Sequence, residues 1–217
     1  MLEKMGDFFD KRLENYDQHM LTSIDSAKEF YYFTSDCLPK KSDAKVIDLG
    51  CGTGLELENY FLLNPTAKIT GIDLAPGMLK ALKAKFKNRS LNLILGSYFE
   101  VPFGENLFDA AVSVESLHHF TKEEKIPLYK KLKNSLKNGG YFILTDYFAK
   151  SNEEEQSCRE EFLRLKKEQG IHGKEIYHYD TPLTIEHEKE ALIAGGFLEV
   201  FILKQWSAST ATLKAKK

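Results

Sequence analysis

The 217 residues are 42% hydrophobic and 29% charged, enough apolar material for a buried core and too much for a disordered chain. Thirty lysines and arginines against 32 aspartates and glutamates leave a net charge of −2, which excludes the broad basic footprint of a non-specific nucleic-acid binder but not a local patch. No apolar run approaches the ~18 residues of a membrane span, and the three widely spaced cysteines, Cys37, Cys51 and Cys158, form no metal or redox pair, so a cytoplasmic setting is expected.

Residues 1–44 carry many aromatics (Phe8, Phe9, Tyr16, Phe30, Tyr31, Tyr32, Phe33) and read as helices ahead of the first strand. From Lys45 on, short β-branched runs alternate with helical periods: a strand at 45–49, a helix at 55–63, a strand at 69–73, then a helix opened by Pro76, whose fixed φ suits a first turn. Strands follow at 91–95 and 108–114. Thr121 and Glu124 have the spacing of a capping box, and Ile126, Tyr129, Leu132 and Leu136 share one face of the helix they open. Pro127 should kink that helix or mark its true start, and Asn138-Gly139-Gly140 should end it before a strand at 141–147. A charged helix at 152–169 then interrupts the alternation. A last helix from Thr184 to Gly196 precedes two strands, 198–206 and 210–215, whose short connection forces antiparallel pairing.

Strands separated by helices of this length imply right-handed crossovers. The expected fold is therefore α/β, a Rossmann-like, doubly wound, mostly parallel seven-stranded sheet with one antiparallel strand near the C-terminus, plus N-terminal helices and a helical insertion. The expected organisation is one domain over 1–217: an N-terminal helical lid at 1–44, a cofactor-binding sheet at 45–149 and 183–215, and the insertion at 150–182.

The strongest motif, Asp48-Leu49-Gly50-Cys51-Gly52-Thr53-Gly54, lies between a strand and a helix, where glycines let a ligand approach the backbone and the helix N-terminus offers free N–H groups. A dinucleotide is the first candidate, since Gly50 and Gly52 begin a GxGxxG pattern and the acidic Asp73 follows 23 residues after Gly50. Against it, Leu55 occupies the place of the third glycine, and Asp48 sets a carboxylate beside the loop, which repels a pyrophosphate and attracts a cationic group. No GKS or GKT sequence is present, so a triphosphate loop is excluded.

Five segments in order, VIDLGCGTG at 46–54, ITGIDLAPGML at 69–79, LILGSYFEVPF at 93–103, FDAAVSVESLHHF at 108–120 and LKNGGYFILTDY at 136–147, resemble the motifs of class I S-adenosylmethionine-dependent methyltransferases, in the small-molecule branch. The resemblance spans about residues 44–215, and FFDKRLENYDQHM at 8–20 is similar to that branch's leader helices. It implies S-adenosyl-L-methionine as cofactor. Asp48, Gly50, Gly52 and Gly54 would meet the methionine end, Asp73 the ribose hydroxyls, Leu74 and Met78 the adenine faces, Ser97 and Tyr98 the adenine edge, and Glu115 the methionine moiety. Many members carry an acid where this chain has Ser97.

Of the remaining residues, His119 is the preferred one of the His118-His119 pair to face the methyl group, the alternative being loop histidines with ordinary hydrogen bonds. With no third ligand at helical spacing, no metal is expected. Tyr16 is the leader aromatic expected near the substrate, and His119 and Tyr16 are the candidate catalytic residues. Tyr31-Tyr32-Phe33 reads as pocket wall or core. His172 and His178 belong to a lid or a solvated loop, and Asp146 is a base or a helix cap. Methyl transfer by in-line displacement leaves a neutral thioether, so alignment and exclusion of water are the main requirements. The expected acceptor is a small molecule. Nucleic acid is disfavoured by the charge and by only four arginines, although tRNA wobble-uridine enzymes have similar leaders; a binding protein without chemistry and a nicotinamide-dependent oxidoreductase are the further alternatives.

Overall fold

The computed structural model describes residues 1–173 and 175–217. The chain opens with helices α1 (Met5–Asp10), α2 (Tyr16–Ser23) and α3 (Ala27–Asp36) and then enters the alternation β1 (Lys45–Leu49), α4 (Leu55–Leu63), β2 (Lys68–Asp73), α5 (Pro76–Lys85), β3 (Ser90–Leu95) and β4 (Phe108–Val114). After a 3₁₀ turn at Leu117–His119 come α6 (Lys122–Ser135), β5 (Leu136–Tyr147), α7 (Asn152–Glu168), α8 (Ile185–Ala194), β6 (Glu199–Gln205) and β7 (Thr210–Lys216).

The seven strands lie in the order β3-β2-β1-β4-β5-β7-β6, with β7 alone running against the rest. This is the expected doubly wound sheet. Strand β4 (FDAAVSV) is buried along its whole length and β1 is buried after Lys45, as befits central parallel strands covered on both faces. Helices α6 and α8 supply apolar side chains to one face; α3, α4 and α5 supply them to the other. Helix α7 has no buried residue, in keeping with its charged sequence. No helix among the described residues is long and apolar enough to cross a membrane.

Two expectations about α6 and β5 need correction. The Thr121–Glu124 capping box forms and sets the helix start, so Pro127 lies inside α6 and forfeits only the bond its N–H would have given to the carbonyl of Glu123. Strand β5 begins at Leu136 rather than at residue 141, and the Asn138-Gly139-Gly140 stretch lies within it. There the register against β4 shifts between Phe108 and Ala110, and Gly139, at φ +77°, takes up the extra chain as a bulge.

A feature absent from the apolar pattern joins α6 to α8. Lys125 Nζ donates to Glu188 Oε2 at 2.5 Å, and the Tyr129 hydroxyl donates to Glu188 Oε1, with both charged side chains only 1% exposed. Removing one partner strands a buried charge, whereas apolar replacement of both does not. Glu188→Ala should therefore lower unfolding free energy by about 3–5 kcal/mol in urea titrations, while the double variant Lys125→Met, Glu188→Leu recovers most of that loss.

Candidate functional site

Strand order reverses between β1 and β4, so the loops leaving their carboxyl ends diverge and open a crevice. The Ser113 hydroxyl donates to the Leu49 carbonyl at 2.8 Å, tying the two strand ends together. Beyond Leu49 the chain turns through Gly50, whose φ is +73° and whose absent Cβ would collide with the side chain of Ser116. The loop is closed by Asp73: one carboxylate oxygen accepts the Gly52 N–H and the other the Ala75 N–H, both at 2.8 Å. Burial raises the pKa of Asp73 against those two bonds. Each oxygen keeps a lone pair for a further donor.

The crevice is lined by Met5, Phe9, Tyr16, Gly50, Gly52, Asp73, Leu74, Met78, Tyr98, Glu115, Ser116 and His119. Nine of the twelve residues singled out from the sequence thus stand on one wall. Asp48, Gly54 and Ser97 do not. Gly54 is the N-cap of α4, Ser97 Oγ accepts from the Phe99 N–H at 3.2 Å within its own turn, and Asp48 lies beneath the loop. Met5, Phe9 and Ser116 were not foreseen; the aromatic run at residues 8 and 9 was the one signal for them.

Beneath the loop, Asp48 pairs with Glu56 of α4. Both side chains are buried, and Asp48 Oδ2 and Glu56 Oε1 have no hydrogen-bond partner. Burial first, and the neighbouring Glu56 carboxyl second, hold Asp48 well above the ordinary carboxylate range; burial pushes Glu56 up to about 7. Two buried carboxyls this close favour keeping a proton between them, and a nearby cation would relieve that. Glu115, at φ +49°, presents a third unpartnered buried carboxylate oxygen, Oε1, and burial raises its pKa to about 8.

A second cavity of about 770 Å³ adjoins the first and shares Phe9, Tyr16, Glu115 and His119 with it. Its other walls come from the leader (Phe8, Arg12, His19, Met20), from His118 and Tyr147, from His178 and Asp180 of the insertion, and from the β6–β7 turn. The leader is pinned over both cavities. Met5 N–H donates to the Ile176 carbonyl and His178 N–H to the Glu3 carbonyl, both at 2.9 Å; Asp10 Oδ1 accepts the Gly77 N–H at 2.9 Å, and the Thr53 hydroxyl donates to Asp17 at 2.5 Å. His178 stacks on Phe8 with centroids 3.5 Å apart, so it belongs to a lid and not to a solvated loop, whereas His172 is exposed. Of the Tyr31-Tyr32-Phe33 cluster, Tyr31 is core, Tyr32 is 62% exposed and Phe33 packs on Trp206; none walls a cavity.

Asp146 acts as an anchor, accepting the Leu117 N–H at 2.9 Å and facing His118 Nδ1 at 2.6 Å. Burial opposes charge on His118, but Asp146 and Asp180 outweigh it and raise the pKa to about 10. Burial, then the His118 cation, lowers that of His119 to about 4. Burial raises Tyr16 far above the usual phenol range. Asp180 reaches both rings from the insertion, with Oδ1 at 3.1 Å from His119 Nδ1, and the Glu115 carboxylate comes within 4.8 Å of His118, so carboxylates surround a pair that was expected to have no third ligand.

A family profile described as a methyltransferase domain matches residues 47–144. The chain is 30% identical to 24-methylenesterol C-methyltransferase 3 of Arabidopsis thaliana over 112 residues, 50% of this chain and 30% of that one. It is 27% identical to carboxy-S-adenosyl-L-methionine synthase of Campylobacter fetus subsp. fetus over 189 residues, 81% of this chain and 78% of that one. A candidate O-methyltransferase of Nostoc punctiforme PCC 73102 superposes with a TM-score of 0.71 at 18% identity, covering 99% of this chain and 62% of that one. The chain spans 22 to 49% of the length of three curated relatives it matches.

The dyad has a measurable signature. Between the ordinary glutamate pKa of 4.5 and about 7 the folded chain holds a proton that the unfolded chain has released. Stability of the ligand-free protein should therefore fall as pH rises through that window. Glu56→Gln, which cannot ionise and whose amide can donate to Asp48, should flatten the slope in Tm measured against pH.

Proposed function

The chain belongs to the class I S-adenosylmethionine-dependent methyltransferase family, and on that footing we propose that it transfers the sulfonium methyl group of this donor to a small-molecule acceptor held in the second cavity. The observation that carries this reading is the junction: two cavities share Phe9, Tyr16, Glu115 and His119, one lined by the glycine loop and Asp73, the other by leader and insertion.

The residues present suit the donor. The open lone pairs of Asp73 can accept two ribose hydroxyls in a partly dry setting. Leu74 and Met78 offer apolar contact for the adenine, with Tyr98 beside them, and the Gly50 and Gly52 backbone admits a chain at close range. An ammonium near the loop would offset the buried Asp48–Glu56 dyad and the lone oxygen of Glu115. The bound donor supplies an electrophilic methyl carbon whose leaving group is neutral.

The chain's own task is alignment and exclusion of water. Tyr16, kept as a neutral phenol, is a fixed donor at the junction, and His119 guides the acceptor's reacting atom and its proton. The acceptor's lone pair forms the new bond to the methyl carbon as the carbon–sulfur bond breaks and its electron pair returns to sulfur. A cavity of about 770 Å³ lies within the ~300–1,000 Å³ range of small-ligand sites, and its aromatic lining suits an organic molecule. Three unpaired cysteines accord with a cytoplasmic location.

The test is a labelling experiment: donor carrying a ¹³C-methyl group is incubated with the protein and either a metabolite extract or total RNA, and the label is followed by mass spectrometry. Label in a low-molecular-weight product supports the reading; label in RNA alone, or no transfer at all, refutes it. Asp73→Ala should weaken donor binding roughly 10- to 150-fold, the loss of a charge-assisted bond worth about 1.5–3 kcal/mol. His119→Ala should slow turnover by about 100-fold while donor affinity, read by calorimetry, changes only a few-fold.

A further inference from the structure

Adjacent histidines normally point apart, yet the 3₁₀ turn at Leu117–His119 puts His118 and His119 on one wall with ring centroids 4.0 Å apart. His118 is held by its Nδ1, 2.6 Å from Asp146 Oδ1, and the Leu117 N–H fixes the other oxygen of that carboxylate. Its Nε2 therefore faces Asp180 Oδ1, at 3.6 Å. His119 Nδ1 lies 3.1 Å from the same oxygen, and the ligating atoms of the three residues all fall within 4.8 Å of one another.

The 3.1 Å separation is that of neighbouring donors around an ion, and the 3.6 Å one is slightly wider, so Asp180 or His118 would draw in by a few tenths of an ångström on binding. With bonds of ~2.1 Å, neighbouring ligands stand about 3.0–3.4 Å apart in octahedral or tetrahedral coordination. The 3.1 Å contact is also an ordinary hydrogen bond, and the same His119 Nδ1 lies 3.1 Å from the Tyr179 carbonyl oxygen, so ligation requires the tautomer with Nδ1 unprotonated; the 3.6 Å contact is too long for a hydrogen bond. A carboxylate on the far nitrogen of a histidine is the usual outer support of a metal ligand, and Asp146 occupies that place. A second feature concerns charge: the Glu115 carboxylate comes within 4.8 Å of His118 and Asp146, and one of its oxygens, Oε1, is buried with no hydrogen-bond partner.

We infer that His118 Nε2, His119 Nδ1 and Asp180 Oδ1 form a site for a first-row divalent transition-metal ion, open toward the acceptor cavity. Two imidazoles and one carboxylate favour zinc, manganese, iron(II) or cobalt over magnesium and calcium, which prefer all-oxygen sets. Asp180 is 51% exposed and all three ligands line the cavity, so the remaining coordination positions face the acceptor. The role assigned to the ion rests on the methyltransferase reading. An acceptor hydroxyl, thiol or amine on the ion loses its proton to water at a lower pH, and the freed lone pair then attacks the methyl carbon. In that state His119 serves as a ligand, and guidance of the acceptor passes to the ion.

The full chain, stripped with chelator and dialysed, is titrated with cobalt(II) and followed by visible absorption, and with zinc(II) by calorimetry. One ion per chain is expected, with ligand-field bands from nitrogen coordination. Asp180→Asn removes the anionic ligand from a half-exposed position without opening the core and should weaken binding tenfold or more. Donor binding is measured in parallel on the metal-free chain. No stoichiometric ion, or equal affinity in Asp180→Asn, overturns the site and leaves the histidine–aspartate cluster as a proton-held ion network. Loss of donor binding with the metal titration intact would refute the methyltransferase reading instead.

Discussion

The reversal of winding between β1 and β4 is the constraint on which the rest of the molecule depends. The helix that follows β1 packs on one face of the sheet and the helix that follows β4 on the other, so the chain parts at residues 50 and 115 and a crevice opens between the branches. Everything chemical is hung on those two branches. Gly50 passes close to Ser116, Asp73 reaches across from β2 to close the loop, and Glu115 is forced to a left-handed φ at the start of the other branch. That strained backbone carries a carboxylate with a buried, unpartnered oxygen, the combination expected of a residue held in place by its surroundings.

Around this fixed centre the molecule sets carboxylates in different states. Asp73 has two backbone donors and is ready for more. Asp48 and Glu56 crowd one another beneath the loop and retain a proton. Asp146 and Asp180 stand on either side of His118 and draw positive charge onto it. The site therefore holds more acidic groups than it holds charge, and its balance depends on how many protons or cations it keeps.

Much of the sheet was legible because the first four strands obey a local rule: largely apolar, and ended by glycine or an acid. The glycine loop and Asp73 were legible as strand-end features for the same reason, each closing a predicted strand, although Asp73 follows Gly50 by 23 residues. What was hidden depends on long-range contacts. Asp180 stands 61 residues beyond His119, and nothing near it in the chain marks it as a neighbour of the histidines. Lys125 interrupts the apolar face of α6 and becomes intelligible only with Glu188 opposite it. The early start of β5 was obscured because a glycine pair reads as a stop, whereas here Gly139 absorbs a bulge inside the strand. Ser97 and Asp48 were placed by resemblance; neither lines the crevice, Ser97 Oγ accepting from the Phe99 N–H within its own turn and Asp48 lying buried with one oxygen unpartnered.

The backbone pairing of residues 3–5 with 176–178 joins the first helix to the insertion across most of the length of the chain. Neither segment has a sheet of its own, yet their pairing fixes Met5 against the first cavity and His178 against the second. Each part holds the other, so displacing either loosens the cover of its neighbour. On the proposed reading, the entry of donor and the entry of acceptor would then be coupled through the same few backbone bonds, and the order of binding would depend on them as well as on either site.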